Sequence, residues 1–249
     1  MLSDSSFLHM MKTGCLAIAP FNMNSPDNRL TPAGFNFSFS KLIVSLKNQE
    51  LYELKQGECG TIYFELLPGD TALALTSESI WVSKNLAGTF HSKVSYVSKG
   101  LGHISTTLDP GWKGQLLISI NSPHNGSDIM QVPIAKMGED RKLNYFSFIT
   151  LCLFELKCPA ENSSDNNDSR LSIISEVLKG NPDKNSVGYN QAKNLIDKMI
   201  LKLSSDKDIL PSSDGFEYIS DEKRNLFVEQ HNEIIEMMEE IKIINMKNE

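Results

Sequence analysis

Gly34-Phe35-Asn36-Phe37-Ser38-Phe39-Ser40 places an aromatic ring at every second position, with small polar side chains between. A period of two puts the three rings on one side of an extended chain, which predicts a β-strand with one buried face. Leu42-Ile43-Val44-Ser45-Leu46 and Thr61-Ile62-Tyr63-Phe64-Glu65-Leu66 read the same way. Upstream, residues 2–9 form a short amphipathic run, and Gly14 leads into an apolar strand at 15–19 ended by Pro20. Downstream, the turn Pro68-Gly69-Asp70 introduces a strand at 71–76 and another at 79–82. Further strands are expected at 115–120, 129–134 and 146–156. Short strands separated by Pro, Gly, Asn and Asp argue for a sandwich or barrel.

The pattern changes at Pro159. The stretch to Asp168 is almost entirely polar and reads as a linker. Beyond it, Leu171, Ile174, Val177 and Leu178 share one helix face, stopped by Gly180-Asn181-Pro182. Ala192, Leu195, Ile196, Met199 and Leu203 make a second stripe. Asp221 begins a long helix carrying Phe227, Ile234, Met238 and Ile241. Because Phe227, Ile234 and Ile241 recur every seven residues, this stripe suits either packing on the β domain or a coiled-coil contact with a protein partner. The division expected is therefore a β domain at 1–158, a linker at 159–168 and a helical extension at 169–249. Glu233, Glu236, Glu239 and Glu240 read as a solvated face.

The chain has 249 residues and a formal charge of −7. An acidic chain is a poor general binder of phosphate backbones, so no nucleic acid is expected as partner, while a small anionic nucleotide needs only a local positive site. No apolar run approaches the length of a membrane span, and the opening residues do not resemble a secretory leader, so a cytoplasmic protein without membrane contact is expected. Cys15, Cys59, Cys152 and Cys158 lack metal-site spacing and read as reduced, mostly buried thiols.

Ser92-Lys93-Val94-Ser95-Tyr96-Val97-Ser98-Lys99-Gly100-Leu101, followed by Leu108-Asp109-Pro110-Gly111-Trp112-Lys113-Gly114, resembles the dCTP deaminase family. That family carries G-R-S-S-x-A-R-x-G-L and then I-D-P-G-W-x-G, and the related dUTPases place I-D-x-D-Y-x-G at the second position. Residues 68–79 are similar to the family's P-G-x-x-x-L-x-x-T-x-E. Leu30-Thr31-Pro32-Ala33-Gly34-Phe35 is like its L-x-P-A-S-x, and residues 2–20 resemble its first helix and strand. The likeness covers roughly residues 1–158. It implies a mainly β, dUTPase-like distorted barrel or jelly roll, followed here by helices. It also implies a homotrimer with deoxynucleoside triphosphate sites between subunits.

By this resemblance Ser92, Lys93, Ser95 and Ser98 line the phosphate turn. Lys93 stands at an arginine position, where it keeps a positive charge but loses the planar fork. Val94 replaces a serine and Ser98 an arginine; the same residues also suffice simply to finish a turn. Asp109 falls on the aspartate that orients water in dUTPases, a role open to a carboxylate base. An Asp before Pro-Gly equally serves a turn. Trp112 either lies against the deoxyribose or belongs to the core. His91 and His103 flank the phosphate turn as ligands, proton shuttles or structural histidines. Lys113 and Lys99 are candidates for a further phosphate clamp.

Ser119 occupies the place of the glutamate that moves protons in dCTP deaminases. A serine cannot act as that base at neutral pH, and H-x-E with P-C-x-x-C is absent, so deamination is disfavoured. The family's G-x-x-I-x-Q-L element is degraded, and the glycine-rich closing arm of dUTPases is replaced by the linker and helices. Two outcomes stand: a dUTPase-type diphosphohydrolase using Mg2+, or a nucleotide-sensing or scaffold module without chemistry. No protein metal site is expected.

Overall fold

The structure, a computed structural model, describes residues 1–21, 29–101, 106–122, 128–161, 167–205 and 218–245. In chain order it begins α1 (Asp4–Lys12), β1 (Leu16–Ala19), β2 (Leu30–Thr31), β3 (Gly34–Ser45), β4 (Leu54–Gln56), β5 (Thr61–Leu66) and β6 (Thr71–Val82). There follow β7 (Leu86–Ser92), α2 (Val94–Val97), β8 (Thr107–Leu108), β9 (Lys113–Asn121), β10 (Met130–Met137), β11 (Leu143–Tyr145) and β12 (Ser147–Glu155). The chain continues through α3 (Asn167–Lys179), α4 (Val187–Ser205), α5 (Asp221–Glu239) and β13 (Ile243–Asn245).

The described strands form two sheets. One runs β1-β6-β3-β12-β7-β8, with β2 on β3 and β9 on β6; the other runs β11-β10-β5-β4-β13. Both face one hydrophobic core that includes Phe37, Phe39, Leu75, Phe90 and Ile118 from the first sheet and Leu54, Ile62, Phe64 and Val132 from the second. The fold is mainly β with a helical C-terminal region.

Two expected breaks are absent. Residues 34–40 and 42–45 belong to one strand, β3, and residues 71–82 form one strand, β6. Each is arched by an irregularity rather than interrupted. The β3–β6 register shifts between Phe39 and Ile43, and the β6–β9 register between Leu75 and Ser79. Such bulges bend a strand and leave ladder groups to be satisfied by side chains. Thr76 Oγ1 donates to Glu78 O (2.7 Å) and accepts from Leu116 N (3.0 Å), while Gln115 Nε2 donates to Thr76 O (2.8 Å).

Glu78 fills the arch. Its carboxylate accepts from Ser38 N (2.9 Å), Ser38 Oγ (2.7 Å) and Ser77 Oγ (2.9 Å), and pairs with Arg29. This overturns the expectation that β3 has a single buried face. Ser38 and Ser40 are as buried as Phe37 and Phe39, because a charge network and a helix cover the second side.

That helix is α5, which packs against β1, β3 and β6. Its stripe is consumed within the chain: Ile234, Met238 and Ile241 join the main core, and Phe227 joins Ala17, Ala19, Trp81 and Ile219. The coiled-coil reading of the heptad spacing therefore gives way to packing on the chain's own sheet. Buried Lys41 on β3 fixes the far end of α5, donating to Glu239 O (3.0 Å) and Ile241 O (3.1 Å) and pairing with Glu239 Oε2 (2.7 Å). A cation there satisfies last-turn carbonyls and complements the helix dipole. α3 rests on β9 and α4, and Leu171, Ile174 and Leu178 are buried as their spacing implies. No helix among the described residues is long and apolar enough to cross a membrane. Of the four thiols only Cys15 is buried, whereas Cys59 and Cys158 are exposed, so "mostly buried" does not hold. Both exposed cysteines lie in connections between strands or beyond the last large one, where no apolar face needs covering.

His231 on α5 is buried against the sheet, its Nδ1 2.9 Å from Ser79 Oγ. Burial lowers its pKa to about 4. The unfolded chain, near 6.5 for a histidine, takes up the proton first. The stability this residue provides is complete above about pH 6.5 and is lost as pH falls toward about 4, a change of roughly 3 kcal/mol. Denaturant titrations at pH 7 and pH 4.5 should show His231→Asn losing less stability on acidification than the parent. Equal losses would assign the acid sensitivity to other groups.

Candidate functional site

Asp109-Pro110-Gly111-Trp112 closes as a tight turn, with Trp112 N donating to Asp109 O (3.2 Å). Proline at the second position presets its φ, and Gly111 at the third has φ +78°, the combination a type II turn needs. The turn is thus held by the Asp109 backbone. The carboxylate stays exposed, with Thr107 Oγ1 at 3.4 Å from Oδ1.

Trp112 is 2% exposed, and its Nε1 donates to Gly114 O (3.2 Å). Its ring borders a cavity of about 320 Å3 between β8, β9 and α3. Apolar walls come from Leu73, Phe90, Leu108, Leu116 and Ile118; polar groups come from Thr106, Thr107, Ser119 and Arg170. Ser119, paired with Leu73 across the β6–β9 ladder, borders this space. No carboxylate or histidine is among the described residues that line the cavity, and Arg170 is its charged side chain. Arg170 lies over the Trp112 ring, 4.9 Å from the centroid. Arg170 and Ile173 come from α3, so the helical extension supplies one wall. A single arginine beside an apolar helical stripe carries no sequence signal of such a role; only the docking of α3 on β9 reveals it.

The phosphate-turn residues lie elsewhere. Ser92 ends β7, opposite Ile149 of β12. Lys93 is half-buried and precedes α2, its N donating to Phe148 O (3.1 Å). Ser95 and Ser98 are exposed, with Ser98 Oγ 3.5 Å from Ser95 O. Tyr96 anchors α2 by packing on Phe148 at 4.3 Å, and burial raises its phenol pKa. Val94 and Val97 project from the same short helix, 81% and 52% exposed. His91 is exposed, with Thr89 Oγ1 3.0 Å from Nε2. Lys99 is exposed beside the Tyr96 ring. Lys113 is only 7% exposed, within β9. His103 lies outside the described residues.

The register of β7 and β8 separates the two halves of the expected site. Leu108 pairs with Gly88 and Thr107 with Thr89, so Asp109 continues away from the Lys93 end of β7. Six residues of extended chain place Lys93 and Asp109 roughly 20 Å apart. Within one chain, Trp112 and Ser119 border the cavity and Asp109 stands exposed on the turn that precedes Trp112, while Lys93, Ser95 and Ser98 belong together at α2.

No family model matches the chain. Its sequence is 30% identical over 171 residues to the dUMP-forming dCTP deaminase of Salinispora arenicola, covering 65% of this chain and 82% of that protein. The Salinispora tropica counterpart is 31% identical over 175 residues, covering 65% of this chain and 83% of the relative. The dCTP deaminase structure from Agrobacterium tumefaciens superposes with a TM-score of 0.43 at 12% identity, covering 70% of this chain and 52% of that one. Two relatives at this identity, matched over more than four-fifths of their length, show that the chain belongs to the dCTP deaminase/dUTPase family.

Proposed function

We propose that the chain binds a deoxynucleoside triphosphate at sites shared between copies of itself, and hydrolyses it to the monophosphate and pyrophosphate without deaminating the base. The observation that carries this reading is the pairing of an exposed Asp109 with a cavity lacking any general base at Ser119. The Salinispora relatives are named for forming dUMP from dCTP, which demands loss of both an amino group and pyrophosphate. This chain keeps a carboxylate for the second reaction and lacks the glutamate for the first.

Base and sugar occupy the cavity beside Trp112, and the triphosphate extends from its mouth. Asp109 holds a water and accepts its proton as the oxygen attacks the α-phosphorus. The bond from that phosphorus to the bridging oxygen breaks, and pyrophosphate leaves. Lys93 and Ser95 neutralise and orient the phosphate oxygens, Lys93 as a point charge. No group of three His, Cys, Asp or Glu able to hold a metal occurs among the described residues. Mg2+ enters as part of the substrate, bound mainly by phosphate oxygens and water.

The separation of Lys93 from Asp109 supports a head-to-tail ring, in which α2 of one copy reaches the cavity of the next. A homotrimer is the assembly expected from the family. Exposed Val94 and Val97 give α2 an apolar surface for that contact. Mixing two inactive variants tests the arrangement. Lys93→Ala and Asp109→Asn chains, co-expressed, should regain about a quarter of the parent's turnover, because random assembly leaves that share of interfaces intact. No recovery from hybrids of confirmed composition would place the whole site within one chain.

A second reading, a sensor without turnover, is favoured by Arg170 and Ile173, since ligand in the cavity would touch α3 directly. It predicts a raised melting temperature with nucleotide and no product.

A further inference from the structure

Asp109 stands in a turn that makes no use of its carboxylate. An aspartate before Pro-Gly ordinarily serves the turn by accepting from the N–H two residues on. Gly111 N instead donates to Ser83 O (3.4 Å) and Trp112 N to Asp109 O (3.2 Å), while Pro110 has no N–H to give. Both N–H groups within the carboxylate's local reach are thus engaged elsewhere. Among the described residues the side chain that meets it is Thr107, whose Oγ1 donates to Oδ1 at 3.4 Å.

Strand geometry brings the two side chains together. Residues two apart on an extended chain fall on the same side, which aligns Thr107 with Asp109. Pairing with Thr89 across the β7–β8 ladder fixes the backbone of Thr107, and its branched side chain is stiff at χ1. The Thr89 hydroxyl lies 3.0 Å from His91 Nε2, so it is engaged along its own strand. Thr107 also borders the cavity, so the pair joins the exposed turn to that space.

We propose that Thr107 is a positioning residue, whose hydroxyl holds Asp109 Oδ1 and leaves Oδ2 to take the proton of the attacking water. This rests on the proposed hydrolysis with Asp109 as base. An exposed carboxylate without such a contact rotates about its own side-chain bonds, and a base aimed wrongly for part of the time works more slowly. At 3.4 Å the contact is loose, and hydrogen bonds at catalytic groups commonly tighten only once substrate is in place. Thr107 transfers no proton itself and acts through Asp109.

The test is single-turnover release of pyrophosphate by the full-length chain from dATP, dCTP, dGTP, dTTP and dUTP, each with Mg2+, beside affinities for their α,β-imido analogues. Thr107→Val keeps the branched shape but removes the donor, and should slow release roughly tenfold. Its analogue affinities should stay within about twofold of the parent's. Thr107→Ser restores the donor and should return the rate to within about threefold of the parent. In an Asp109→Asn chain, Thr107→Val should slow release by less than about twofold more, because residues that act as a unit are not additive.

Parental turnover in Thr107→Val, equal slowing in the valine and serine variants, or an undiminished effect in the Asp109→Asn chain overturns the inference and leaves the role of Asp109 standing. A loss in affinity instead of rate overturns it too, since Thr107 would then be a ligand contact. If the parent releases no pyrophosphate, or Asp109→Asn is as fast as the parent, the proposed hydrolysis falls and this inference with it.

Discussion

Asp109→Asn is expected to slow pyrophosphate release from a deoxynucleoside triphosphate by roughly 100- to 10,000-fold, the range lost with a positioned general base. The substitution is nearly isosteric, and the turn it sits in is closed by the Asp109 backbone carbonyl, which asparagine retains. Folding and nucleotide affinity should therefore change little, with affinity shifting by less than about threefold. The measurement is single-turnover release of pyrophosphate from each nucleotide bound by the parent, with affinities from non-hydrolysable analogues. Turnover unchanged in Asp109→Asn would make Asp109 a turn residue and remove the hydrolase reading. Ammonia release from dCTP by the parent would show that Ser119 does not mark the loss of deamination.

The second large effect concerns stability. Glu78→Ala should destabilise the chain by about 3–5 kcal/mol, the usual consequence of removing one partner from a buried ion pair. Three protein donors and Arg29 converge on that carboxylate, whose side chain is 2% exposed. For a domain of this size the loss corresponds to a fall in melting temperature of about 10 °C. Glu78→Met combined with Arg29→Met should cost less than Glu78→Ala, because no lone charge is left in the arch. A drop of only a degree or two in Glu78→Ala would mean that water enters and solvates Arg29 and Ser38.

Glu78 also shows what could be read without coordinates. The motif Thr76-Ser77-Glu78 was visible as a family likeness, yet local pattern placed a gap there, because its polar residues interrupt the apolar alternation. Three-dimensional structure makes them the filling of a bulge shared by β3, β6 and β9, whose unpaired groups no one-dimensional period records. The Asp109 turn was legible because its chemistry is local: proline, then glycine, fixes the backbone within four residues. The helix begun at Asp221 was legible from the helical spacing of Phe227, Ile234 and Met238, and the structure adds its cap, Ser220 accepting from Lys223 N. Arg170 was not, because its importance comes from one docking contact between α3 and β9 with no repeating spacing to announce it. The wide separation of Lys93 and Asp109 follows from strand register, which motif order along the chain does not encode.

The parallel pairing of β13 with β4 carries a consequence for how the molecule is made. Leu54 on β4 has Ile243 as its neighbour, so one side of the smaller sheet stays open until α5 has docked and delivered its following strand. An open strand edge is an invitation to pair with another molecule. Contacts this distant along the chain also form slowly. Lys41, by gripping the end of α5, sets where that strand begins. Holding the end of α5 in place thereby favours closure of that edge by β13 within the same chain.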